Sequence, residues 1–92
     1  MKPLKKNNKE KEDALIELGK FYFLNEKYNQ AIKEFEKALK INPVNQEIYY
    51  NLGIIYETLN QIVTAQEMFT RVLKLNENHL EAKKHLEKLI GK

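Results

Sequence analysis

Apolar residues recur along this chain at steps of three and four, the period of one helical face. Leu15, Leu18, Phe21 and Tyr22 form a first such set, and Asn25-Glu26-Lys27 interrupts it. Tyr28, Ala31, Ile32, Phe35, Ala38, Leu39 and Ile41 form a second, which Asn42-Pro43 closes, because proline disfavours helix in the residue before it. Ile48, Tyr49, Leu52, Ile55, Tyr56 and Leu59 form a third set. After Asn60-Gln61 comes a fourth, of Ile62, Ala65, Met68, Phe69, Val72, Leu73 and Leu75. The pattern predicts helices at about 12–24, 28–41, 46–58, 62–75 and 80–90, with no strand alternation anywhere. The expected fold class is all-α.

The sets also repeat. Shifting the chain by 34 positions pairs Leu18 with Leu52, Gly19 with Gly53, Tyr22 with Tyr56 and Ala31 with Ala65. The same shift pairs Phe35 with Phe69, Leu39 with Leu73, Lys40 with Lys74 and Asn42 with Asn76. Residues 12–45 and 46–79 read as two repeats, and residues 80–92 as one further helix that ends the array. Residues 1–11 stand outside as a polar, basic tail expected to be disordered or frayed.

The repeated small residues have a packing meaning. A glycine inside a helix costs about 1 kcal/mol against alanine, so two at one repeat position point to a helix crossing too close for a side chain. Ala31, Ala38 and Ala65 suit the facing helices, and Tyr22, Tyr56, Phe35 and Phe69 fill the spaces between.

These residues resemble a known family. Leu15-x2-Leu18-Gly19-x2-Tyr22, Ala31-x3-Phe35, Ala38 and Pro43 follow the tetratricopeptide repeat pattern at its 34-residue period. Tyr49-x2-Leu52-Gly53-x2-Tyr56 and Ala65-x3-Phe69 follow it again. Val72 and Glu77 depart from it, standing where alanine and proline are usual. The resemblance implies a superhelix of antiparallel helix pairs. In the last helix, Ala82, Leu86, Leu89 and Ile90 take the positions that face back onto the preceding repeat. Lys83 and Glu87 would meet a following helix, and their charge makes this helix a solvating cap.

Composition narrows the chemistry. The 92 residues suit one small domain, with 42% hydrophobic and 32% charged residues. Cysteine is absent, which excludes disulfides, thiol catalysis and Cys-ligated zinc. No apolar run approaches the ~20 residues of a membrane-spanning helix. The basic start leads into Asn7-Asn8-Lys9-Glu10 without an apolar stretch, so it does not read as a secretory signal, and a cytoplasmic location is expected. The net charge of +3 is uneven, with five Lys against one Glu in residues 1–11 and near balance in the remainder. One arginine in the whole chain is too few for base-edge reading, so nucleic acid is not expected as a partner. His79 and His85 lie six apart, off one helical face, and His85 with Glu81 alone makes a poor metal site. Glu34 and Glu36 read as surface acids beside Lys33, Lys37 and Lys40. No Gly-rich loop exists to cradle a phosphate. Neither a metal, a cofactor nor a catalytic function is expected.

The family likeness implies a binder of proteins or peptides, with the first helix of each repeat lining a concave groove. The implied groove residues are Asp13, Ile16, Lys20, Phe23 and Leu24, then Glu47, Tyr50, Asn51, Ile54, Glu57 and Thr58, and Glu81, Lys84 and Lys88 from the cap. An apolar centre of Ile16, Phe23, Tyr50 and Ile54 with charged rims suits an apolar anchor. A subset of the family grips the C-terminal carboxylate of chaperones. Asn51 stands at one such position, but Ile16, Lys20, Glu81 and His85 do not match, and Glu81 would repel a carboxylate. That partner is therefore not expected. The alternative is a self-associating assembly unit. Phe21, Tyr22, Phe23 and Leu24 follow one another, and a helix cannot bury all its faces in so small a domain. Some of that surface is expected to lie exposed at the N-terminal edge, where no earlier repeat covers it.

Overall fold

A computed structural model describes residues 7–91, and among these it contains five helices and no strand. The tail lysines 2, 5 and 6, and Lys92, lie outside the described residues. The chain divides into two compact units, one ending at Pro43 and the other beginning at Val44.

The first unit is the pair α1 (Asn8–Leu24) and α2 (Tyr28–Ile41). Helix α1 begins four residues before the position expected from its apolar pattern, and the expected tail shortens accordingly. The cause is a capping box. The Asn7 side chain accepts from the Glu10 backbone N–H at 2.8 Å, and the Glu10 carboxylate accepts from the Asn7 N–H at 3.0 Å. Two donors that a helix start leaves open are thereby satisfied. At the other end, Lys27 N donates to the Tyr22 carbonyl at 2.8 Å and Glu26 N to that of Phe23 at 2.9 Å. This is a Schellman closure with Glu26 in the left-handed region, at φ 59°.

The second unit repeats the pair as α3 (Gln46–Thr58) and α4 (Ile62–Leu75) and adds α5 (Leu80–Leu89). Its first turn closes identically. Gln61 N donates to the Tyr56 carbonyl at 2.8 Å, and Asn60 sits at φ 61°. Helix α5 runs back along α4, where the Gln66 side chain donates to the Leu89 carbonyl at 3.0 Å.

Each unit centres on one aromatic ring laid over one glycine. A Cβ built on Gly19 would come within 2.7 Å of the Phe35 ring, and one on Gly53 within 2.8 Å of Phe69. Both rings are fully buried, as are Ala31, Ala38, Ala65 and Val72 around them. A second tie recurs at the far end of each pair. The Asn42 amide donates to the Glu12 carboxylate at 3.0 Å, and the Asn76 amide to the Gln46 side-chain oxygen at 3.0 Å. Glu12 is buried to support this bond.

Some residues sit differently from expectation. Leu18 is 38% exposed, although its repeat-equivalent Leu52 is 2% exposed. Ile90 is 54% exposed, because it follows the last turn of α5 as its C-terminal cap. Glu34 is not a surface acid, although it pairs with one of the lysines expected for it. Its side chain is largely buried and holds Lys37 at 3.3 Å.

Two outcomes follow from this geometry. Gly53→Ala lowers the unfolding free energy, because overpacking a closed core costs ~1–3 kcal/mol against a helix-propensity gain of at most ~1 kcal/mol. Gly53→Leu loses more, and urea denaturation of both variants measures the order; stability at or above wild type would mean that Phe69 yields freely. Glu26→Asn raises stability by up to ~1 kcal/mol, since the left-handed conformation is costly for glutamate and tolerated by asparagine. The reciprocal Asn60→Glu lowers it, and paired thermal melts read both signs.

Candidate functional site

The stripe Gln46, Tyr50 and Gly53 on α3 is spaced four and three, so it forms one helical face. Its counterpart on α1 is Glu12, Ile16 and Gly19. These stripes meet α4 and α2 within their own units. Ile16 therefore lies in the core, 3% exposed, and is not a groove residue. Its stripe also carries Gly19, which must face Phe35. Tyr50 occupies the same position but is longer, so its ring passes over the core and out toward α5.

There it joins a cluster of rings. Tyr50 lies edge-on to Phe69 at 5.8 Å, tilted against His79 at 5.0 Å and edge-on to His85 at 5.9 Å. His85 stacks flat on Phe69, 5.0 Å apart with 8° between planes. The two histidines are thus brought to one aromatic surface despite their six-residue spacing. His79 Nδ1 is already used, accepting the Ala82 N–H at 3.1 Å to cap α5.

Glu57, one turn beyond Ile54 on α3, closes the cluster. Its carboxylate receives His85 Nδ1 at 2.8 Å and Lys88 Nζ at 2.9 Å. A carboxylate only accepts, so Nδ1 is the protonated nitrogen of His85. Burial pushes the Glu57 carboxyl up, but the hydrogen bonds from Lys88 and His85, with their positive charges, outweigh it. The net effect holds the group below the ordinary glutamate range. Burial, followed by the carboxylates of Glu81 and Glu57, raises the Tyr50 hydroxyl, which stays neutral.

The remaining expected groove residues fall as follows. In the second unit, Ile54 and Asn51 are half-buried, and the Asn51 amide donates to the Glu47 carbonyl at 2.9 Å. Thr58 donates to the Ile54 carbonyl at 2.8 Å. Glu47, Glu81 and Lys84 are exposed, and Glu81 lies 3.9 Å from His79 Nδ1. In the first unit, Asp13 pairs with Lys9 at 3.1 Å and Lys20 with Glu17 at 3.5 Å. Phe23 packs against the Tyr28 ring at 5.7 Å, and Leu24 is 80% exposed. His79 and His85 were missing from the expected groove set. Their repeat-equivalents are Asn45 and Asn51, so identity matching gave no signal for them; the apolar stripe around Tyr50 was the nearest clue. His85 turns to Glu57 rather than to Glu81. Among the described residues, no group of three or more His, Asp or Glu could hold a metal ion. None of their helices is long and apolar enough to cross a membrane.

Two antiparallel helix pairs with a glycine-on-ring crossing repeated every 34 residues, followed by a charged helix, define an α-helical repeat protein. The chain belongs to the tetratricopeptide repeat family: the TPR repeat model matches residues 19–60 and the tetratricopeptide repeat model residues 46–79. The chloroplastic protein SLOW GREEN 1 of Arabidopsis thaliana is 27% identical over 84 residues, 91% of this chain and 27% of that protein. BBSome complex member BBS4 of Bos taurus is 35% identical over 68 residues, 74% of this chain and 13% of that protein. Among solved structures, the first TPR of Spaghetti (RPAP3), bound to the HSP90 peptide SRMEEVD, gives a TM-score of 0.80 at 25% identity. That match covers 86% of this chain and 64% of the other. The chain thus spans about a quarter or less of the length of these two curated relatives. Modules of this family in general mediate contacts between proteins, and fold and family together support an interaction module here.

Glu57→Gln provides a pH readout of the cluster. A carboxyl held low in the fold stabilises it above the unfolded value of about 4.3, and that contribution is lost as pH falls through the lower folded value. The stability gap between wild type and Glu57→Gln is therefore present above that unfolded value and shrinks as the pH falls below it. Urea unfolding at both ends measures it, and a constant gap would separate Glu57 from its two partners.

Proposed function

We propose that this chain is a non-enzymatic interaction module that takes a peptide or protein segment on the face formed by α3 and α5. The observation that supports this reading is the continuous ring surface of Tyr50, His79 and His85 beside Ile54. The one inward carboxylate there, Glu57, is neutralised by His85 and Lys88. A surface that is apolar at its centre, with its buried charge already paired, favours an apolar or aromatic anchor over an ionic one. Exposed Glu47, Glu81 and Lys84 then form a mixed-charge rim.

The relative bound to SRMEEVD shows that such a fold can hold an acidic peptide. For this chain we expect weak capture of that sequence. Glu81 opposes a carboxylate, and Lys20 and His85 are each engaged by a glutamate of their own unit.

Binding measurements separate these readings. Peptides selected from a random display library on the immobilised chain should share an aromatic or branched aliphatic anchor. Tyr50→Ala should weaken them by more than tenfold, the loss of a central hot-spot tyrosine worth ~2 kcal/mol. Because Tyr50 also packs on Phe69, Ile54→Asp is the companion variant, with circular dichroism as the control for folding. Lys37→Ala with Lys40→Ala on α2 should have little effect. Fluorescence anisotropy with SRMEEVD and its C-terminal amide should give equal, weak binding. Strong binding that requires the free carboxylate, or dominance of the Lys37/Lys40 pair, would overturn the apolar-anchor reading.

A further inference from the structure

Helix α1 carries a second apolar face, distinct from the one it buries against α2. Leu18 is 38% and Phe21 58% exposed, with Ala14 and Leu15 along the same side. The repeat-equivalents of Leu15, Leu18 and Phe21 on α3 are Tyr49, Leu52 and Ile55, at 7%, 2% and 1% exposure. The sequence thus keeps large apolar residues at three positions that are buried in the second repeat and more exposed in the first.

The open face is complementary to itself. If a second α1 is laid antiparallel across the first, with a two-fold axis at Leu18, Leu15 falls opposite Phe21 and Ala14 opposite Tyr22. Lys11 falls opposite Asn25. The first pair is apolar on apolar. The second sets a small residue against a large one, which allows close approach. The third answers a charge deficit, because α1 has no basic residue in its last turn and a cation there favours the helix dipole. Lys11 and Glu26 are both exposed, and neither forms an ion pair among the described residues. The face also holds a receptacle for its own most prominent ring. Lys11, Ala14, Leu15 and Ile41 line a shallow, largely apolar depression of about 300 Å³, at the place where a second copy's Phe21 would arrive.

We propose that this face binds a second copy of the chain, forming an antiparallel α1–α1 dimer with each Phe21 seated in the other's Lys11–Leu15–Ile41 depression. The pairing uses residues of α1 and α2 and none of those proposed for peptide capture.

Sedimentation equilibrium from micromolar to millimolar concentration should show a monomer–dimer equilibrium. Phe21→Lys should weaken it at least ~tenfold, as expected for loss of a central aromatic anchor, with the circular dichroism spectrum unchanged. The chain has no cysteine, so Leu18→Cys introduces a single thiol at the axis. A short bis-maleimide should join two such chains far faster than two chains carrying Glu67→Cys on α4. A monomer at every concentration overturns the proposal, as does a dimer unaffected by Phe21→Lys. Equal cross-linking at the two cysteine positions also overturns it.

Discussion

The structure depends on a missing side chain. Phe35 and Phe69 each lie flat against the backbone of a facing helix, at the one residue where that helix has nothing to project. Burying a phenylalanine contributes about 1.5–3 kcal/mol, and here one ring per helix pair sets the distance, crossing and register of both helices. The small residues around it, Ala31 with Ala38 and Ala65 with Val72, are fully buried because the ring already fills the space. The Asn42–Glu12 and Asn76–Gln46 bonds fasten the opposite end of each pair, so each hairpin is held at two separated points.

Within that frame, position 16 and position 50 show how one slot serves two purposes. Isoleucine at 16 ends in the core. Tyrosine at 50 begins there, on Phe69, and extends past it to the rings of α5. The residue that tightens the second unit is therefore also the middle of its candidate binding surface, and stability and recognition are coupled through a single side chain.

Much of this was legible in the chain itself. The 34-residue recurrence of Gly, Phe, Tyr and Ala located both helix pairs, and the pattern also placed a fifth helix after them. Three features were hidden for physical reasons. The capping box at Asn7 and Glu10 is made of polar residues, so a reading based on apolar periodicity assigns it to a tail. The Asn tie takes a carboxylate acceptor, Glu12, within the first repeat and a carboxamide acceptor, Gln46, within the second; the two share an acceptor oxygen but not an identity. The Glu57–His85–Lys88 group depends on how far α5 turns toward α3, which spacing along one helix does not encode. Ile16 was misplaced because repeat position alone does not say where a side chain of given length stops.

The span of the ties bears on how the chain reaches this state. The asparagine side-chain bond that ties each helix pair joins residues only thirty apart, and the ring-on-glycine contacts span sixteen. Loop closure over such distances is quick and entropically modest. Each hairpin can nucleate from its own neighbours without waiting for a remote segment, and the left-handed turns at Glu26 and Asn60 set the reversal at the outset. A chain built this way folds from several starting points along its length, and a defect in one hairpin slows that hairpin without erasing the route taken by the other.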